Sequence, residues 1–231
     1  MIDSSTQAIV REYELMLTAI SFRLSMALNQ KKFDPSSINE FQNNVRAIVD
    51  QSMAEIDRKV AQAIFDAARE GIAIAAPEGV DSIETEVVMR HADILAEGVS
   101  EAVRRSAERD STAAVAMLNK VGLSRVIGGQ YFTQSYGEAL RGVKYESVDS
   151  IGRRWASTTY SRLVVRQAMI HARADAVVII GNNAGDSEFQ IKGGSKDGMK
   201  FSVSEKSDLP NYFEVRESVL HPNSNATVVR V

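Results

Sequence analysis

The feature that most constrains the fold of this chain is an apolar stripe of unusual length. Between Ser37 and about Ile74, apolar residues recur at three- and four-residue spacing, which is the spacing of one helix face. A helix of roughly 38 residues is roughly 55 Å long. Because so long a stripe must be covered by other helices, the sequence predicts a helical bundle, formed within one chain or between chains.

The flanking segments predict further helices. The same apolar period runs from Ser5 to about Asn29, and a third helix is expected from Asp81-Ser82 to about Arg109. The segment Asp110-Ser111-Thr112 predicts the cap of a separate, shorter helix that ends at Gly122. The stretch "QYFTQSYGEAL" then predicts a turn and a short helical segment.

The last third of the chain changes in texture. A further helix is expected from Ser147 to about Ala174, followed by a strand in "AVVIIG" and short alternating pieces in "EFQIK", "MKFSVS", "YFEVRES" and "ATVVRV". The predicted fold is α+β and predominantly α-helical, with a long-helix N-terminal bundle in residues 1–146. Residues 147–231 form the second predicted domain, with a basic helix in 147–174 and a small, loop-rich β module at the C-terminus in 175–231.

The composition excludes several kinds of chemistry. The chain has no cysteine, which excludes disulfides, thiol nucleophiles and thiolate metal sites, and its three histidines are far apart in the sequence. No phosphate-binding glycine loop, nucleophile elbow or paired-histidine helix is present. We therefore expect no enzymatic activity, cofactor or metal. The net charge of −3 and the lack of a long apolar run argue against a membrane protein.

One predicted helix is electrostatically distinct. Residues 150–174 contain five arginines and no acidic residue. On a helix, Arg162, Arg166 and Arg173 fall within a stripe about 40° wide, with Trp155 on the same side. Guanidinium groups bind either phosphates or carboxylates in bidentate geometry. Three alternatives stay open: contact with DNA, contact with a partner protein, and ion pairs with the chain's own long helices.

The order of several C-terminal segments resembles a known family. After "RRWASTTYSRLVVRQAMIHARADAV" come "KDGMKFSVS", "LP" and "HPNSNATVVRV". This series is similar to the C-terminal module of tailed-phage minor head proteins, the family of the phage Mu F protein and the minor capsid protein 2 group. The residues that match the family motifs are Asp197, Gly198 and Lys200 in the first segment and His221, Pro222 and Asn223 in the closing one.

The chain also departs from the family pattern. Ser224 stands where the family often has its last cysteine, and the turn "GNNAGDSEFQIKGGSK" lacks the preceding cysteine pair. One histidine offers only one of about four ligands that zinc needs. We therefore expect packing and hydrogen bonds to hold this module, with Pro222-Asn223 in a turn that leads into a last strand.

The resemblance implies a virion structural protein. Such a protein is made in the host cytoplasm and is a minor component of the phage head at the portal vertex, acting in head assembly, DNA packaging or DNA delivery. The partners implied are the portal protein or the major capsid protein, or both, with packaged DNA as a further candidate. The long apolar helices themselves predict self-association. The alternatives are a ring-forming head-to-tail connector, a host-derived helical adaptor and a degenerate transferase.

Overall fold

The predominantly α-helical α+β fold is confirmed. The computed structural model describes residues 2–29, 35–128 and 142–231. The α-helices in these residues are α1 (Ile2–Leu28), α2 (Pro35–Ala75), α3 (Ser82–Gly128), α4 (Ser157–Asn183) and α5 (Tyr212–Ser218). The strands are β1 (Glu146–Val148), β2 (Arg154–Ala156), β3 (Glu188–Lys192), β4 (Lys200–Ser202) and β5 (Thr227–Arg230). A 3-10 helix, Gly194–Lys196, lies between β3 and β4.

The chain forms two compact units that are not consecutive in sequence. The sheet unit comprises Met1–Gln7, Arg58–Ser100 and Leu163–Val231. The hairpin unit comprises Ala8–Asp57 and Glu101–Arg162. The predicted boundary between residues 146 and 147 lies inside the hairpin unit. In the part of the chain that the structure describes, no helix is long and apolar enough to cross a membrane.

A three-stranded antiparallel sheet forms the core of the sheet unit. Its order is β4-β3-β5, with β3 in the centre. The rings of Phe189, Phe201 and Tyr212 stack with centroid distances of 5.7 and 5.5 Å. Phe189 also packs on α4, because a Cβ added at Gly181 would lie 2.5 Å from its ring. Strands β3, β4 and β5 lie in "EFQIK", "MKFSVS" and "ATVVRV", so the strands predicted in these three segments are confirmed.

The strand predicted in "AVVIIG" is wrong, because this segment is the last part of α4. Ala176, Val177 and Val178 are all buried and are spaced about 100° apart around the helix axis, so the helix is apolar around more than half of its circumference. Such a segment has no helical period and cannot be distinguished from a strand by its pattern. The helix ends in a Schellman motif, in which Gly185 has a φ of +96° and Asp186 N–H donates to Gly181 O at 2.9 Å.

Another predicted β segment, "YFEVRES", is also helical. It forms α5, whose N-cap residue Asn211 accepts a hydrogen bond from Phe213 N at 2.9 Å. Tyr212 and Val215 are buried while Phe213 is exposed, which is the three-residue spacing of a helix rather than the alternation of a strand. In the sequence, the asparagine directly before this segment was the signal that could have identified the helix.

The predicted helix start at Ser147 is wrong as well. Strands β1 and β2 form an antiparallel hairpin there, and α4 begins only at Ser157. Asp149 organises the turn: its carboxylate accepts hydrogen bonds from the N–H of Arg153 at 2.8 Å and from Trp155 Nε1 at 3.0 Å. Trp155 therefore lies in β2 and is not part of the arginine stripe of α4.

Helix α3 is continuous through the predicted cap at Asp110-Ser111-Thr112. The polar side chains of this segment do not cap a helix but form other hydrogen bonds. Thr112 Oγ1 donates back to Glu108 O at 2.8 Å, and Asp110 is buried and faces α1. The turn and short helix predicted in "QYFTQSYGEAL" lie outside the described residues.

Asp110 belongs to a buried polar cluster in the hairpin unit. Its carboxylate accepts hydrogen bonds from Tyr13 Oη at 2.7 Å and from Ser157 Oγ at 2.8 Å. Ser106 Oγ lies 2.9 Å from Tyr13 Oη and is within hydrogen-bond distance of Ser147. Burial raises the pKa of Asp110 to about 6 and also raises the pKa of Tyr13, mainly through loss of hydration. The cluster connects α1, α3, β1 and the start of α4.

In the sheet unit, α2 and α4 approach closely at Gly71. A Cβ added there would overlap Arg173 O and lie 2.7 Å from Ala176 Cβ. We therefore predict that Gly71→Ala lowers the free energy of unfolding by about 1–3 kcal/mol, because overpacking forces the backbones apart. Urea unfolding followed by circular dichroism measures the change.

Gly98 provides the matched control for this substitution. It also lies inside a helix, but a Cβ added there meets nothing within 4 Å. Gly98→Ala should raise the free energy of unfolding by roughly 0.5–1 kcal/mol, because alanine has the better helix propensity. Equal effects of the two substitutions would contradict the close approach at Gly71.

Candidate functional site

Helix α4 binds the segment that precedes the last strand. We define this closing segment as residues 220–226. Arg166 Nε donates a hydrogen bond to Pro222 O, His171 Nε2 donates to Leu220 O at 3.1 Å, and Arg173 Nη2 is 3.4 Å from Ala226 O. One helix therefore supplies a hydrogen-bond donor to three carbonyl groups of the closing segment.

Two of the three predicted arginines also form ion pairs within the chain. Arg166 pairs with Asp3, and Arg173 Nη1 lies 3.1 Å from Glu70 Oε1. Their side chains are only 18% and 16% exposed. Arg162 is exposed. The structure thus shows the intrachain alternative for Arg166 and Arg173, and the three arginines do not form one exposed face.

The closing segment forms the turn that the sequence predicts. Ser224 N–H donates to His221 O at 2.8 Å, and Asn223 N–H donates to His221 Nδ1 at 3.2 Å. Ser224 is buried, and its hydroxyl accepts a hydrogen bond from Ala226 N–H at 3.1 Å. The hydroxyl of Ser224 therefore fixes the path of the chain into β5.

The other motif residues form the connection between β3 and β4. Asp197 Oδ1 accepts a hydrogen bond from Gly193 N–H at 2.6 Å. Gly198 has a φ of +82°, where glycine is favoured, and its N–H donates to Ile191 O at 2.8 Å. Lys200 is exposed and begins β4.

The two motif segments meet through a pair of glycines. A Cβ added at Gly193 would lie 3.3 Å from Asn225 O, and one at Gly194 would lie 3.5 Å from Ala226 Cβ. The connection between β3 and β4 therefore packs directly on the closing segment. Among the described residues, no group of three or more His, Asp or Glu side chains is placed to hold a metal ion.

A buried charge cluster lies farther along α4, and the sequence analysis did not identify it. Asp175 Oδ2 lies 2.8 Å from His91 Nε2. Arg216 donates two hydrogen bonds to the Asp175 carboxylate at 2.9 and 2.8 Å, and the hydroxyl of Tyr212 donates a third. His91 and Asp175 are 84 positions apart in sequence. The available signal was that Asp175 is the single acidic residue of α4 and is flanked by apolar residues.

The hydrogen bonds of this cluster fix its protonation. Burial raises the pKa of Asp175, but the donors His91, Arg216 and Tyr212 outweigh burial, so the pKa lies below its ordinary value. Burial and the adjacent carboxylate raise the pKa of Tyr212. Burial and the charge of Arg216 lower the pKa of His171. Near neutral pH the cluster is thus an Asp–Arg ion pair with a neutral tyrosine.

A cavity of about 430 Å³ opens beside this cluster, within the sheet unit. Its apolar wall is formed by Val178, Ile179, Val203 and Phe213. Asn182 and Asn211 supply amide groups at its lining. Because four donor contacts already occupy the carboxylate of Asp175, the arrangement suits binding of an apolar group better than acid–base chemistry.

Comparison with protein-family models, with curated proteins and with solved structures finds no match to this chain. The similarity to phage minor head proteins stays a prediction that rests on the motif residues.

We predict that Asp175→Ala lowers the free energy of unfolding by about 3–5 kcal/mol, because it leaves Arg216 without its partner in a partly buried position. The exposed residue Asp208 provides the control. Asp208→Ala should change the free energy of unfolding by less than about 0.5 kcal/mol. Urea unfolding at neutral pH measures both.

Urea unfolding of wild type and Asp175→Ala at acid pH tests whether the ion pair of Asp175 causes the difference in stability. Since the pKa of Asp175 is lower in the folded than in the unfolded protein, its stabilisation is present above the unfolded pKa of about 3.9. That stabilisation is lost as the pH falls through the folded pKa. The difference between wild type and Asp175→Ala should therefore shrink below about pH 4. A difference independent of pH would contradict the ion-pair explanation.

Proposed function

We propose that this protein is a non-enzymatic structural component of a tailed-phage particle, a minor head protein at the portal vertex. One observation carries the proposal. The Asp197-Gly198 turn and the His221-Pro222-Asn223 turn are 20 or more positions apart in sequence. They belong to one small module, in which the closing segment contacts both α4 and the β3–β4 connection. This arrangement supports reading the two motifs as parts of a single module.

The contacts of the module support a structural role. In the proposed family relationship, hydrogen bonds from α4 to the closing segment take the place of thiolate–metal bonds. Such a module needs no metal, because the chain's own donors satisfy the carbonyl groups of Leu220, Pro222 and Ala226. The Asp175 cluster is likewise saturated by internal hydrogen bonds. Both features favour a rigid scaffold over a reaction centre.

The long helices offer the docking surfaces in this proposal. Arg166 and Arg173 are engaged within the chain, so Arg162 is the arginine of the predicted stripe that we propose for contact with DNA or a partner. Exposed apolar side chains on the long helices are the better candidates for contact between protein subunits.

The exposed apolar residues of α1 and α3 also favour a second candidate, a connector that forms a ring. The two candidates differ in symmetry. A connector surrounds the vertex in a closed ring of equal copies, whereas a minor head protein occupies few positions inside the head.

Mass spectrometry of purified particles tests the proposed function. We expect this polypeptide in proheads and virions at far fewer copies than the major capsid protein, with chemical cross-links to the portal protein. The major tail protein provides the control, because it should be present in virions and absent from proheads. Absence of this polypeptide from both particles, in samples where the portal protein is detected, would exclude a virion component.

A further inference from the structure

Two long helices each carry an exposed apolar stripe. Leu15, Phe22 and Met26 form the α1 stripe, in the hairpin unit. Ile83, Val87 and Ile94 form the α3 stripe, in the sheet unit. These six side chains are between 48% and 72% exposed. At about 100° per residue, the members of each stripe fall within about 40° of one another.

The spacings of the two stripes are mirror images. The α1 stripe has steps of seven and then four residues, and the α3 stripe has steps of four and then seven. If the two helices run antiparallel, all three members of each stripe face each other. The pairs are Met26 with Ile83, Phe22 with Val87, and Leu15 with Ile94. These layers extend over roughly 17 Å at 1.5 Å per residue.

The parallel α1–α3 pairing and the antiparallel self-pairings place unlike residues opposite each other, whereas a parallel self-pairing places each residue opposite its own equivalent. In a parallel α1–α3 pair, Phe22 would face Arg90. In an antiparallel pair of two α3 helices, Val87 would face Arg90. In an antiparallel pair of two α1 helices, Phe22 would face Ala19, which lies outside the stripe. Apart from parallel self-pairing, the antiparallel α1–α3 pair is the one that aligns every apolar residue.

The charges beside the stripes are complementary in the same alignment. Arg11 and Arg23 flank the α1 stripe, and Glu84 and Glu97 flank the α3 stripe. In an antiparallel pair, side chains displaced to the same side of each seam are neighbours, as in antiparallel coiled coils. By helix geometry Arg23 then falls beside Glu84 and Arg11 beside Glu97.

We propose that the α1 stripe of one copy of this chain packs antiparallel on the α3 stripe of a second copy. The interface is heterologous, because the two copies contribute different patches. Each copy keeps one stripe free, so association continues and produces a ring or an open filament. Because this interaction involves copies of this chain alone, it goes beyond the proposed function and does not depend on it.

Sedimentation velocity of two single variants and their mixture tests the proposal. The wild type should form particles larger than the 25.3 kDa monomer as the concentration rises. Phe22→Asp disables the α1 stripe, and Val87→Asp disables the α3 stripe, so each variant alone should be monomeric. An equal mixture should form a dimer of twice the monomer mass, because each variant contributes its intact stripe.

The mixture is the informative sample, because a dimer made from two monomeric variants requires two different patches. Ile151→Asp provides the control: its side chain is 72% exposed in the β1–β2 turn, and the variant should assemble like the wild type. Circular dichroism should show equal helix content in all proteins. A monomeric wild type at every concentration, assembly of either variant alone, or a mixture that stays monomeric where the wild type assembles would each overturn the proposal.

Discussion

The sheet unit depends on the hydrogen bonds that α4 donates to the closing segment. Arg166, His171 and Arg173 satisfy backbone carbonyls that would otherwise lack partners in a partly buried position, where each would cost about 1–3 kcal/mol. These bonds fix where the chain enters β5, and β5 in turn pairs with the central strand β3. Gly71 allows α2 to approach the same helix, and Glu70 supplies the carboxylate that pairs with Arg173. The charged side chains of α4 therefore hold the closing segment and α2 in place.

A group of arginines in an acidic protein can indicate a surface that binds phosphates or partners, but Arg166, Arg173 and Arg216 here form ion pairs within the fold. Arg166 and Arg173 connect the closing segment to Asp3 and Glu70, and Arg216 holds Asp175 next to the aromatic core. Such pairs stabilise a fold mainly when further hydrogen bonds complete them, as they do here. The surfaces proposed for partners are then Arg162 and the apolar stripes on the long helices, which is consistent with a protein whose proposed role is assembly.

The sequence correctly predicted the helices and strands that bury one face and expose the other. Period-3.6 stripes identified α1 and α2, and alternation identified β3, β4 and β5. Prediction failed where burial or tertiary hydrogen bonds erase the local pattern: Val177 and its neighbours are buried on most sides of α4, and Asp110 uses its side chain across helices instead of capping one. The Asp175 cluster joins residues 84 positions apart, so no local window contains it. The closing turn was predictable because Pro222-Asn223 determines it locally.

The central claim is that hydrogen bonds from α4, without a metal, hold the closing segment and the last strand. Hydrogen–deuterium exchange of the β5 amides tests it directly, in wild type and in the Arg166→Ala, Arg173→Ala double variant, each with and without a chelator. The account predicts faster exchange of β5 in the double variant and no effect of the chelator on the wild type. Unchanged β5 protection in the double variant, or loss of protection with the chelator, would contradict it.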